Sequence, residues 1–184
     1  MKTIIAACAA ILLGLGGLAQ AAGIKTAGID HVGISVPDLK QAEAFLSSTF
    51  GCEAVTHIGP FPMAPRADSV TLAMVRCGSG ANIELFEYKR STGSTAMPKS
   101  EDIGASHIAF YTDDVAAGVA YLKSKGITVL GEPVTMGEGD TAGETWVHFL
   151  SPWGSEMELV GYPNGKGYEK STSLRLWQPK HPDK

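Results

Sequence analysis

The chain has 184 residues, a formal net charge of −4, and 44% hydrophobic against 18% charged residues, a size that suits one compact domain or two small fused modules. Its Lys and Arg residues form no cluster, so the positive surface that nucleic-acid binding requires is missing and nucleic acid is excluded as a partner. After the first twenty residues no segment is long and apolar enough to cross a bilayer as a helix, which takes about 20 apolar residues.

Met1-Lys2 is a short positive start, Ile4 to Leu18 is an apolar run, and Ala19-Gln20-Ala21 is a small-residue cleavage site. Residues 1–21 therefore read as a signal peptide, and the mature protein is expected to be periplasmic or secreted, with no membrane attachment after cleavage. Cys8 sits inside the apolar run, before it is finished, which argues against a lipid acceptor site. Removal of Lys2 takes the charge from −4 to −5.

An internal repeat follows. Residues 28–39, Gly-Ile-Asp-His-Val-Gly-Ile-Ser-Val-Pro-Asp-Leu, run from a strand pattern into a helix start, and residues 105–115, Ala-Ser-His-Ile-Ala-Phe-Tyr-Thr-Asp-Asp-Val, do the same. Helical stretches follow at 41–46 and 116–122. Asp38, and Asp113 or Asp114, are expected N-caps, because a carboxylate there accepts the orphan amide hydrogens of the first turn. Gly51 and Gly126 mark the helix exits.

Three strand-like runs follow each helix: 52–58, 70–77 and 81–88 in the first half, and 127–134, 145–150 and 156–160 in the second. Gly78-Ser79-Gly80 and Ser151-Pro152-Trp153-Gly154 supply hairpin turns. The reading is an α+β fold of two tandem βαβββ modules, residues 28–88 and 105–161, with a polar linker at 89–104 and a tail at 162–184. The tail has no clear period and either packs over an edge through Leu174, Leu176 and Trp177 or stays free. The Pro-rich segment 59–65 is expected as a loop overhanging the sheet edge, long enough to serve as a substrate lid.

Strand alternation assigns faces. Val32, Ile34 and Val36 share one face and His31, Gly33 and Ser35 the other; Ile108 and Phe110 oppose His107, Ala109 and Tyr111. In the closing strands Ile83 and Leu85 oppose Glu84, Phe86 and Tyr88, while Met157 and Leu159 oppose Glu158 and Val160. Two His and two Glu thus point away from the helix-covered core, where charge is costly to desolvate unless a metal or counter-charge compensates it. A lone strand His is more often a satisfied polar group than a ligand, but four such residues in repeat-related places shift the balance toward a site. Trp146 and His148 are expected on the same concave face, His148 as a second-layer partner or acid, or as an ordinary hydrogen-bonded strand histidine. His57 and His181 receive no role.

Cys52 and Cys77 fall opposite each other if the second and third strands pair about the 59–69 loop. A cross-strand disulfide and two buried free thiols are both compatible with this placement. Neither cysteine has the neighbours of a catalytic thiol or a zinc knuckle.

The repeat and these four residues together resemble the vicinal oxygen chelate superfamily, which includes glyoxalases, epimerases, resistance proteins and extradiol dioxygenases; the likeness runs from about Ile29 to Tyr162. The resemblance implies a cupped mixed sheet with helices outside, and one divalent metal, Zn, Ni, Mn, Co or Fe(II), held by His31, Glu84, His107 and Glu158. It implies a glyoxalase-like lyase or isomerase that takes a small vicinal-oxygen substrate through an enediolate, with Glu158 or Glu84 moving the proton, and Tyr88, Tyr111 and His148 against the substrate. Ser35 and Tyr88 stand where glyoxalase I holds glutathione with Arg and Asn, which counts against that thiol. An extradiol-type dioxygenase and a non-catalytic ligand- or drug-binding module are the alternatives. Family members dimerise through their sheets, and the sequence leaves open a homodimer with the cup shared between chains.

Overall fold

The computed structural model describes Ile24, Thr26 and residues 28–182, so residues 1–21, expected from the sequence to be a signal peptide, lie outside the described residues. The elements run β1 (His31–Ser35), α1 (Leu39–Phe50), β2 (Glu53–Met63), β3 (Ala67–Arg76), β4 (Asn82–Lys89), β5 (Ala109–Tyr111), α2 (Val115–Ser124), β6 (Val129–Thr135), β7 (Thr145–Leu150) and β8 (Glu156–Gly161), then a 3-10 turn at Gly167–Lys170. They form two four-stranded mixed sheets of the same topology, β1-β4-β3-β2 and β5-β8-β7-β6, with β1 parallel to β4 and β5 parallel to β8. This is the duplicated βαβββ arrangement read from the repeat. Among the described residues no helix is long and apolar enough to cross a membrane.

The helices begin where their caps say they must. The Asp38 carboxylate accepts the Gln41 amide at 2.9 Å and the Asp114 carboxylate accepts the Ala117 amide at 2.9 Å, each satisfying an orphan donor of the first turn. α1 exits through Gly51 at φ 68°, a conformation that favours glycine. Its start has a second, tertiary cap: the Glu87 carboxylate of β4 accepts the Leu39 amide at 2.9 Å.

One hydrophobic core joins the halves. Leu39, Ala42, Phe45 and Leu46 of α1 and Val115, Val119 and Leu122 of α2 are buried in the same cluster as Ile83, Leu85, Val147, Phe149, Met157 and Leu159. Aromatic rings cross the seam. Phe50 at the end of α1 stacks on Phe110 of β5 at 3.8 Å, and Phe45 meets Trp153 edge-on at 5.7 Å. The Tyr121 hydroxyl of α2 adds a bond to the Ser48 carbonyl at 2.9 Å.

Three segments depart from the sequence reading. β2 continues through the Pro-rich segment to Met63 and β3 starts at Ala67, so the expected lid is a strand pair closed by a tight turn. Proline is tolerated because β2 is the sheet edge, where a missing amide hydrogen costs no ladder bond. The ladder shifts register at Ile58/Phe61 and again at Pro62/Met63, around the two prolines. β5 is only three residues long, so His107 lies just before it rather than within it. Of the three tail residues Leu174, Leu176 and Trp177, Trp177 is about half exposed and lies close enough to Gly80 that an added Cβ would sit 3.3 Å from its ring, while Leu174 and Leu176 are exposed. Lys180 reaches Asp113 at 2.9 Å, and Lys166 pairs with Glu144.

Cys52 and Cys77 form a disulfide with Cα atoms 4.4 Å apart. At this base of the β2–β3 pair the ladder is regular, Glu53 facing Arg76 and Ala54 facing Val75.

Candidate metal and active site

The repeat places its polar residues in equivalent registers. Gly33 of β1 lies beside Glu84 of β4, and Ala109 of β5 lies beside Glu158 of β8. The histidine two residues earlier shares the face of that small residue, and with nothing bulky between them the carboxylate reaches the imidazole. His31 Nε2 lies 3.1 Å from Glu84 Oε2, and His107 Nε2 lies 2.9 Å from Glu158 Oε2. Both glutamates are largely covered, whereas the histidines are close to half exposed. Strand alternation puts these four residues on one face; the distances within each pair come from the structure.

The two pairs do not merge within one chain. Among the described residues, the group whose ligand atoms all lie within 4.8 Å of one another is His107, His148 and Glu158, and neither His31 nor Glu84 belongs to it. His148, given a substrate or second-layer role from sequence, stands directly across the β7–β8 ladder from Glu158. Its Nε2 is 3.5 Å from Glu158 Oε2 and its Nδ1 is 2.6 Å from Glu156 Oε1. Glu156 was missed as a site residue. Its parity with Glu158 was the available signal, since residues two apart on a strand share a face.

The surroundings differ between halves. His31 Nδ1 also bonds Asp30 at 2.8 Å, and this bond raises the imidazole pKa above its ordinary value against the opposing effect of desolvation, with the charges of Glu84 and Asp30 adding to the rise. Phe86 and Tyr88 stack beside Glu84 at 5.8 Å. Tyr88 and Ser35 line a cavity of about 700 Å³ with Arg66, Arg90, Met97 and Trp153. Within it Trp153 buries its Nε1 without a hydrogen-bond partner. Tyr111 lies in a separate cavity of about 450 Å³ that also includes Phe110 and Trp177. Its hydroxyl donates to Asp113 at 2.6 Å, and partial burial first, then that carboxylate, push its pKa well up, so it remains a neutral donor. His57, which received no role from the sequence, pairs with Glu43 at 2.9 Å.

Two imidazole nitrogens and a carboxylate oxygen at these separations suit a borderline divalent ion such as Zn, Ni, Co, Mn or Fe(II). The donor set of the second module therefore fits a metal by its chemistry.

The sequence pattern of the Glyoxalase/Bleomycin resistance protein/Dioxygenase superfamily matches residues 30–143. The chain belongs to this superfamily. Within the superfamily it is 37% identical over 161 residues to 2-epi-5-epi-valiolone epimerase of Actinomyces sp, a match that covers 82% of this chain and 88% of that protein. It is 31% identical over 110 residues to the mitochondrial methylmalonyl-CoA epimerase of Homo sapiens, covering 59% of this chain and 60% of that one. A crystal structure of a glyoxalase family protein from Bacillus cereus shares the superfamily fold with a TM-score of 0.63 at 21% identity, over 76% of this chain and 97% of that one. The trypanothione-dependent glyoxalase I of Leishmania major does so at 0.56 and 19% identity, over 79% and 93%.

Proposed function

We propose that this chain is a metal-dependent epimerase that inverts a carbon next to a carbonyl in a small polyoxygenated substrate. That it is an enzyme of isomerase type follows from its superfamily and its epimerase relatives; the metal, the proton path and the substrate class are our reading. The single observation that carries it is the repeated His–Glu pair, His31 with Glu84 and His107 with Glu158, in matching registers of the two sheets. The relatives favour inversion over the lyase reaction that the sequence also allowed.

A divalent ion at His107 and Glu158 would supply Lewis acidity toward the substrate carbonyl and its neighbouring oxygen. Glu84 and Glu158, each against an imidazole and largely covered, are the carboxylates that would take a proton from one face of the carbon and return it to the other once both half-sites face one substrate. Removal of that proton leaves an enediolate, whose return to either face is the inversion. The four-donor centre implied by the family likeness needs both half-sites in one coordination sphere. Within one chain they stand apart, and a homodimer whose sheets face each other would bring His31 and Glu84 of a second copy toward His107 and Glu158. The Cys52–Cys77 disulfide supports an oxidising compartment, in keeping with export.

Deuterium wash-in tests the reading. The purified chain, loaded with Zn2+ or Co2+, is incubated in D2O with a panel of polyhydroxylated cyclohexanones and acyclic 2-hydroxyketones, and exchange at the carbon next to the carbonyl is followed by NMR. Exchange in at least one member, lost in both Glu84→Gln and Glu158→Gln, is the expected result. A metal-loaded protein that binds these compounds with no exchange would make it a sequestering module instead.

A further inference from the structure

We propose that His148 is a third metal ligand of the second module and that Glu156 is the positioning residue that turns it toward the ion. This deepens the metal reading above and rests on it. On β8, Glu156 and Glu158 share a face two residues apart, and His148 on β7 reaches both. The two contacts are not alike. At 2.6 Å, the Nδ1 contact with Glu156 is the closer of the two, and it holds one edge of the imidazole against that carboxylate with Nε2 on the side of Glu158. At 3.5 Å, Nε2 and Glu158 Oε2 are too far apart for a good hydrogen bond. That separation matches two donors sharing one cation at roughly 2.0–2.2 Å each. His107 Nε2, 2.9 Å from the same Glu158 oxygen, completes the three.

A carboxylate behind a ligating imidazole is the arrangement that orients metal-bound histidines and raises their basicity. Here the carboxylate is itself held. The Ser100 hydroxyl, from the linker between the modules, donates to the other oxygen of Glu156. Ser100, His107 and Glu156 also line a small cavity of about 70 Å³, room for one or two waters. The first module lacks this apparatus. Met74 stands across from Glu84 where His148 stands across from Glu158, and Asn82, two residues before Glu84, donates to the Asp30 carbonyl. The asymmetry assigns tight cation binding to the second half, with His31 and Glu84 left as the weaker contributors.

The test is Co2+ titration of the full-length, metal-stripped protein, followed by its visible absorption bands and by calorimetry, with metal-free unfolding as the control. His148→Ala is expected to lower Co2+ affinity by at least a hundredfold and to change the visible bands, because a nitrogen leaves the coordination sphere. Glu156→Ala should cost about ten- to a hundredfold, and Glu156→Gln, which keeps an acceptor for Nδ1–H, should recover most of it; metal-free stability should stay close to that of the parent in both. Unchanged affinity and bands in His148→Ala, with binding lost in His107→Ala, would overturn this inference while leaving the metal reading intact. A parent protein that takes up no Co2+ would overturn both. A Glu156→Ala protein that loses metal-free stability yet binds Co2+ fully would show that Glu156 braces the fold and does not position a ligand.

Discussion

Substituting Gly33 by alanine tests how the first half-site is assembled. A Cβ at this position would lie 3.0 Å from Cε2 of Phe86 and 3.7 Å from Glu84 Oε2, so it meets the ring that flanks the carboxylate before it meets the carboxylate. The second module already carries Ala109 in the matching place, but there the residue corresponding to Phe86 is Val160, paired with Tyr111 as Phe86 is with Ser35. Small beside large in one half has become medium beside medium in the other. Overpacking of this kind costs roughly 1–3 kcal/mol, while replacing glycine within a strand returns about 0.5–1 kcal/mol. Gly33→Ala should therefore destabilise the protein by about 1 kcal/mol net, and Phe86→Val in the same chain should relieve it. Urea unfolding of the parent, both single variants and the double variant gives the coupling directly. A coupling of about 1 kcal/mol in the relieving direction is expected; strictly additive variants would refute the idea that Gly33 exists to make room for the Phe86 ring.

Two further outcomes follow from the framework of the fold. Replacing both Cys52 and Cys77 by alanine removes a cross-link between residues 25 apart in sequence, which chain-entropy reasoning values at about 3.5 kcal/mol; a loss under 1 kcal/mol in urea unfolding would count against that reasoning. Glu87 is held below the usual carboxylate range first by the Lys89 ammonium and then by the Leu39 amide. Its stabilisation is thus fully present above the unfolded carboxyl pKa and fades as pH falls through the lower folded value. Glu87→Gln should cost about 1 kcal/mol near neutrality, a typical helix-cap value, and the gap from the parent should close in acid; a gap independent of pH would show that the charge plays no part.

Much of the architecture was legible because the chain says most things twice. The His-containing strands, the capped helices and the alternation of Ile83, Leu85, Met157 and Leu159 with Glu84 and Glu158 predicted both sheets and their buried faces. Alternation defines a face but not a distance across a sheet. It therefore placed His148 on the concave side without showing that ladder pairing puts it opposite Glu158, and it could not show that the two pairs stand apart. The Pro-rich segment misled for a different reason. Proline is a loop signal in most contexts, and only the position of β2 at the sheet edge, a tertiary fact, lets Pro60 and Pro62 sit in a strand. Glu156 went unremarked because a second acidic residue near a hairpin turn looks like ordinary surface until its partner His148 is seen 2.6 Å away.

The strand ladders stop at β1 and β5, so among the described residues no strand ladder joins the two sheets. Their spacing is left to the side chains of the shared core, among them the ring contacts of Phe50 on Phe110 and Phe45 on Trp153. Exchanging one ring for a larger or smaller side chain would widen or narrow the cleft while every ladder stays intact. Substrate range in this architecture can accordingly drift through positions that never touch a donor atom, leaving the chemistry fixed as the size of what it accepts changes.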